Sequence, residues 1–335
     1  MITNNPLSIA TIIIIPIIVA VIGALFGLLY LGIDRKIVAH MQGRVGPPII
    51  QPFRDVEKLL IKESIIPDDA ISWLFKFAPI LCLMGSAVLL LYIPIFGQKA
   101  LLESSGDAIV LLYLLVIPSL ALVVAGFASS SPYATIGAQR EMVIMMSYEF
   151  PLAMAIVSIA WRISYVTSAN PFMLSTIATY PIWNLVGPLG IIGSLILLFV
   201  LLLVAPAELS KTPFDLAEAE TELAGGLLVE YSGRNLALFY LANAIKAFAI
   251  TSLIVALFFP YNLSPIIGIG LAIPAFIVDA LFFLLKVFLV MFICVMLIRS
   301  SMARFKIDQA SKIYLVAMTA ISLVGLILIW VDLIV

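Results

Sequence analysis

Apolar runs long enough to cross a bilayer alternate with short polar stretches along nearly the whole chain. A spanning helix needs about 20 mainly apolar residues. Eight runs are read as spans: Leu7 to Ile33, Trp73 to Ile95, Ala108 to Ala128, Tyr133 to Trp161, Leu185 to Val204, Leu236 to Phe259, Ile266 to Ile298 and Ile313 to Trp330. Pro16 is expected to bend the first. After it, Gly43, Gly46, Pro47 and Pro48 mark a loop. From Gln51 to Lys62 the pattern changes. Phe53, Val56, Leu59 and Leu60 recur at helical spacing, while Arg54, Asp55, Glu57, Lys58 and Lys62 take the other face. That segment is too short to span and is expected to lie along the interface. The pattern predicts an all-α polytopic membrane protein with about eight transmembrane helices and one amphipathic interfacial helix. One membrane domain covers residues 1–335, with polar loops over 34–71, 205–234 and 299–312.

Composition agrees. The chain has 335 residues, 64% hydrophobic and 11% charged, with mean hydropathy +1.22, whereas a soluble domain carries about a quarter charged residues. The net charge of −1 argues against nucleic acid as a partner. Cys82 and Cys294 lie in separate apolar runs, and an iron–sulfur cluster needs about four thiolates. His40 is the single histidine. No metal site, cofactor or catalytic residue is therefore expected in this chain. The N-terminus has no positive leader region and no evident cleavage site, so its apolar run reads as an uncleaved helix.

Basic residues orient the spans. Arg35, Lys36, Arg44, Arg54, Lys58, Lys62 and Lys76 follow the first run, Lys211 and Arg234 the fifth, and Arg299, Arg304, Lys306 and Lys312 the seventh. With eight spans these loops share one side, expected to be cytoplasmic, and both termini face outward in the cell membrane. The opposite loops hold little beyond Lys99 and Arg162.

The most polar stretch, Ala205 to Arg234, sets Glu208, Asp215, Glu218, Glu220, Glu222 and Glu230 against Lys211 and Arg234 alone. Carboxylates this dense repel one another unless protons or cations relieve them. The stretch is expected to meet a partner or admit protons. Charges also interrupt the spans. Lys246 sits about 15 Å from the nearer end of its helix, too deep for easy snorkelling. Asp279 and Lys286 share a face of the seventh span, and Glu141 and Glu149 share a half of the fourth. Pro151 leaves backbone carbonyls free near Glu149. A charge at mid-bilayer costs at least about 2.5–3.5 kcal/mol, so these groups either line a polar path or pair structurally. The structural alternatives are an Arg140–Glu141 ion pair and a pairing of Asp279 with Lys286 or Lys246. Trp73, Trp161, Trp183, Tyr180 and Trp330 read as interfacial anchors.

Several stretches together are recognisable: DRKIVAHMQGRVGP, QPFRDVEKLLIKE, SPYATIGAQREMVIMMSYEFPL, AELSKTPFDLAEAETELAGGLLVEYSGRNLALF and RFKIDQ. In this order, over nearly the whole chain, they resemble the subunit 1 (H-subunit) family of respiratory complex I and of related membrane-bound hydrogenases. The resemblance implies an eight-helix heel subunit under an electron-carrying arm. It implies iron–sulfur clusters and a nickel–iron centre on partners: hydrogenase-like large and small peripheral subunits, with antiporter-like subunits beside it in the membrane. Carried over by position, the carboxylate path includes Glu149, Glu208, Asp215, Glu218, Glu220 and Glu222. With Glu141, Lys246, Asp279 and Lys286 it forms the expected ion path. The expected arm interface comprises Asp34, Arg35, Lys36, Arg44, Arg54, Lys58, Arg140, Lys211, Arg234 and Arg304. Quinone-linked members usually read GALRA where this chain has GAQRE. Glu141 after Arg140 resembles the ferredoxin-linked, energy-converting hydrogenase branch, including sulfur-reducing relatives. The expected function is to couple electron transfer to proton or sodium translocation. The alternatives are the quinone-binding member of an NADH:quinone oxidoreductase-type complex and a stand-alone secondary transporter.

Overall fold

A computed structural model describes residues 6–103, 106–267 and 272–334. Its helices are α1 (Pro6–Met41), α2 (Gln51–Ile61), α3 (Ser72–Tyr92), α4 (Asp107–Ala128), α5 (Pro132–Val166), the short α6 (Leu174–Thr179), α7 (Pro188–Glu208) and α8 (Gly233–Phe258). Two further helices each contain a π turn. In α9, Ala272–Met291 passes through Phe292–Leu297 into Ile298–Ser301; in α10, Ile307–Lys312 passes through Ile313–Met318 into Thr319–Ile334. Eight helices among the described residues are long and apolar enough to cross a membrane, and they coincide with the eight predicted runs. Residues 268–271 of the seventh run lie outside the described residues.

Local chemistry sets the helix ends. Pro132 and Pro188 open α5 and α7, where a fixed φ and a missing N–H cost nothing. α1 runs eight residues past its predicted end at Ile33, because DRKIVAH contains no breaker. It stops where Gly43 takes a left-handed φ of +71°. Asp34, Arg35 and Lys36 are therefore helical, not loop, residues. α7 likewise continues through Pro206 to Glu208, so Glu208 ends a membrane helix rather than opening a surface loop. α5 extends to Val166 and takes in Arg162.

The most enclosed helix is α8, which packs against α1, α2, α3 and α9. Its approach to α1 depends on Gly27: a Cβ there would stand 2.1 Å from the carbonyl oxygen of Ala244. Small residues permit such backbone contact between membrane helices. This close packing holds Lys246, midway along α8, away from lipid. α2 lies across the inner ends of α1 and α8 with Pro52 and Val56 buried and Arg54 and Lys58 exposed, as its amphipathic pattern requires. Trp73, Trp161 and Trp330 are exposed. Trp183 instead packs on Phe259 and donates its indole N–H to the Phe258 carbonyl at 2.6 Å.

The inner loops are tied together. Arg304 grips Asp215 through two hydrogen bonds, of 2.8 and 2.5 Å, and reaches Thr221. The Phe305 N–H donates to the Pro213 carbonyl. Arg140 on α5 binds Glu222 at 2.5 Å. The stretch predicted to be a loop thus folds down onto the bundle, with one helical turn at Glu220–Leu223.

Candidate functional site

The site grows from one buried cation. Lys246 is 4% exposed and sits where an unpaired charge is expensive. Its Nζ lies 2.8 Å from Glu208 Oε1 and donates to Ser119 Oγ at 2.7 Å. Ser119 Oγ is 3.4 Å from the Tyr148 hydroxyl, which lines a cavity together with Glu208. Four helices, α4, α5, α7 and α8, thus each supply one member. Glu141, about two turns before Tyr148 on α5, is 2% exposed and accepts hydrogen bonds from Ser210 Oγ at 3.4 Å. It is within electrostatic reach of Lys246, Glu218 and Glu208. Glu208 takes the ammonium directly, and Glu141 feels it only at longer range.

Two cavities meet at this cluster. The inner one, about 220 Å³, is lined by Asp34, Arg35, Glu208, Lys211, Glu218, Lys246 and Arg299 along with uncharged groups. Asp34 is 1% exposed and pairs with Arg299 at 2.6 Å through one oxygen; its other oxygen is buried without a hydrogen-bond partner among the described residues. The second cavity, about 210 Å³, is mostly apolar and lies between α4 and α5, with Tyr113, Tyr148, Glu149 and Glu208 in its lining. Glu208 belongs to both. Half-buried Glu149 thus lines the same cavity as Tyr148 and Glu208.

Outside the membrane-spanning segments, burial raises the Glu218 carboxyl above its ordinary 4.5, against the pull of Lys211 and with a push from Asp215. Burial lowers the Lys211 ammonium, while the charges of Glu218 and Asp34 oppose that fall. Arg304 is raised by its hydrogen bonds to Asp215. Asp55 is held low: partial burial opposes this, but hydrogen bonds from Arg35 and Gln51 prevail.

The structure separates other predicted members from the cluster. Asp279 caps a distant turn, accepting from the Leu263 and Ser264 N–H groups at 3.0 and 2.8 Å and from Ser264 Oγ at 2.6 Å. Lys286 donates to the Phe259 and Tyr261 carbonyls, both at 2.8 Å. Neither forms an ion pair within 4 Å among the described residues, so the Asp279–Lys286 and Asp279–Lys246 pairings do not occur. Arg140 pairs with Glu222, not with Glu141. Asp215 and Glu222 are engaged by Arg304 and Arg140, and Glu220 is exposed. Of the expected arm-interface residues, Lys36, Arg44, Arg54, Lys58 and Arg234 are exposed on the inner face, and Arg35 pairs with Asp55 there. Asp34 and Lys211 turn inward to the cavity instead. Ser119, Tyr148 and Ser210 were not among the expected site residues. Being uncharged, they left no mark in the charge pattern. Asp332 was missed too; it pairs with Arg162 at 3.3 Å and accepts from the Gly187 N–H, joining α10 to α5.

An eight-span helical bundle with an ionisable cluster buried in it and a charged face at one end defines a class: polytopic membrane proteins with buried charge. A family model described as NADH dehydrogenase matches residues 12–330, and the chain belongs to that family, the subunit 1 family of complex I. It is accordingly a membrane subunit of a complex I-like oxidoreductase. The chain is 36% identical to the H subunit of NADH-quinone oxidoreductase from Brevibacillus brevis over 282 residues, which is 82% of this chain and 79% of that protein. It is 35% identical to the corresponding subunit of Bacillus cereus over 300 residues, 85% and 84% of the two chains. Among solved structures it is similar to a chain of the membrane-bound sulfane sulfur reductase, an archaeal respiratory membrane complex. The TM-score is 0.78 and the identity 26%, over 94% of this chain and 98% of that one.

Proposed function

We propose that this chain is the heel subunit of a ferredoxin-linked membrane-bound hydrogenase or sulfur-reducing relative, and that it couples electron transfer in a peripheral arm to proton or sodium translocation. One observation carries the reading: Glu208 lines both cavities while bound to Lys246. A change of charge or position in the acidic stretch, brought about by the arm, alters the field at the buried Glu141 and Glu208 and moves a proton through them. Tyr148 and Glu149 pass that shift sideways toward antiporter-like subunits. Neighbouring charges set carboxylate affinity for protons, so such a relay needs no cofactor in this chain. The test is Glu208→Gln in the intact complex reconstituted into liposomes. Ion translocation is expected to fall while electron transfer from an artificial donor persists. Unchanged translocation would sink the proposal.

A second reading is favoured by the names of the curated relatives: the inner cavity is a quinone chamber. Its seven charged side chains suit water better than an isoprenoid chain, which supports the first reading. Labelling of the chain by a photoreactive quinone, blocked by excess quinone, would reverse that preference.

A further inference from the structure

A third cavity, about 200 Å³, lies on the side of the bundle opposite the acidic stretch, between the segment after α3, helix α6, the end of α8 and helix α9. Its polar lining includes Lys99, Lys286, Ser175 and Asn262; Val255 and Phe283 are among its apolar walls. No carboxylate among the described residues lines it. Asp279, seven residues before Lys286 on α9, spends its oxygens on Leu263 and Ser264. Lys286 spends two donors on the Phe259 and Tyr261 carbonyls, which fix the ammonium in the wall and leave a third donor. Gly97 admits the Asn262 amide, whose Oδ1 would stand 2.9 Å from a Cβ there.

The distribution of bases over this side is uneven. Its three bases are Lys99, Arg162 and Lys286. Arg162 is consumed by Asp332 and the Leu185 carbonyl. The two that remain both line this one cavity. Depth fits an interfacial ligand as well. Lys286 stands about 22 Å along α9 from its inner end at Ser301, and a hydrocarbon core is about 30 Å thick. An ammonium there reaches the opposite headgroup region, and Lys99 lies beyond it on an exposed segment.

From this geometry we infer a binding site for an anionic phospholipid of the leaflet opposite the acidic stretch. The phosphodiester sits between Lys99 and Lys286 with Ser175 and Asn262 as further partners, and an acyl chain lies against Val255 and Phe283. Two cations in a lining that holds no carboxylate among the described residues select a phosphate, and the apolar wall selects an amphiphile over a free anion.

The test uses the intact complex in detergent, titrated with dioleoylphosphatidylglycerol, dioleoylphosphatidylcholine or inorganic phosphate and read by native mass spectrometry. One phosphatidylglycerol is expected to be retained more tightly than phosphatidylcholine. Lys99→Gln is expected to weaken it about fivefold, the share of one interfacial lysine, and Lys99→Glu further. Lys286→Gln removes the α8 cap as well, so the exposed Lys99 carries the test. Equal retention of the two lipids, unchanged retention in Lys99→Glu, or lysine-dependent binding of inorganic phosphate alone would each overturn the assignment.

Discussion

Lys246 and Lys286 look alike in the sequence. Each is a lone base deep in an apolar run. The fold treats them oppositely. Lys246 is sealed among four helices and neutralised by Glu208 at 2.8 Å. Lys286 is half-buried near the other face, held by two backbone carbonyls at the end of α8 and placed over the Phe282 ring. One cation depends on a titratable partner, the other on groups that never change charge. Only the first is paired with a group that can exchange a proton, as the proposed relay requires. The second is held in place by two carbonyls, which suits an anchor.

The sharpest way to break this contrast is to remove one member of the central pair. Lys246→Ala leaves Glu208 buried and unpaired, and breaking a buried pair in this way typically costs about 3–5 kcal/mol. The thermal midpoint of the complex, followed by tryptophan fluorescence, should fall steeply. Replacing both partners by apolar residues, Lys246→Met with Glu208→Leu, should recover most of that loss while ion translocation stays absent. Recovery of translocation along with stability would show that the pair is only structural.

The next effect concerns the clamp on the acidic stretch. Arg304 and Asp215 are partly exposed but joined by two charge-assisted hydrogen bonds, and such bonds to charged groups are worth about 1–3 kcal/mol. Arg304→Ala should leave the eight spans intact and loosen residues 209–219. The readout is faster proteolysis and faster amide exchange in that segment, together with weaker coupling. Rates matching the unaltered chain would show that the loop is held without the clamp.

How far these features were legible differs from element to element. The eight spans and α2 followed from hydropathy and helical spacing, since a bilayer imposes a length that nothing else in the chain overrides. Lys246 was visible because a charge among alanines and isoleucines has few innocent explanations. Glu208 was identified, but its place was not. Pro206 reads as a breaker, yet a proline in the last turn of a membrane helix is tolerated when packing satisfies the freed carbonyl. Asp279 and Lys286 share a face by their spacing of seven, but spacing says nothing about which neighbour that face meets. Ser119 and Tyr148 carry no charge, so only the fold, which sets Ser119 Oγ against Lys246 Nζ and near the Tyr148 hydroxyl, shows what they do.

A smaller effect lies in pH. Glu218 has a raised affinity for its proton because it is partly withdrawn from water. The folded chain then binds this proton more tightly than the unfolded chain. That contribution is complete below the ordinary 4.5 and is lost as pH rises from there through the raised value. Glu218→Gln should flatten the dependence of thermal stability on pH over that interval and leave the rest of the curve in place. The same slope in the variant would assign the titration to another carboxylate.

The smallest expected effect is the most discriminating between the two lysine regions. Asp279→Asn keeps the shape of the side chain and one carbonyl oxygen, so it can still accept from the turn at Leu263 and Ser264. It loses only the charge, and the exchange of charged for neutral hydrogen bonds costs about 1 kcal/mol. If the buried acids and bases formed one continuous path across the chain, neutralising Asp279 would impair translocation as Glu208→Gln does. If the relay ends at the Glu208–Lys246–Tyr148 cluster and turns sideways at Glu149, translocation by Asp279→Asn should match the unaltered complex within error. The measurement is the ratio of ions moved to electrons transferred, which a slight loss of stability leaves untouched. A lowered ratio would return Asp279, and Lys286 with it, to the path and remove the distinction drawn between the two lysines.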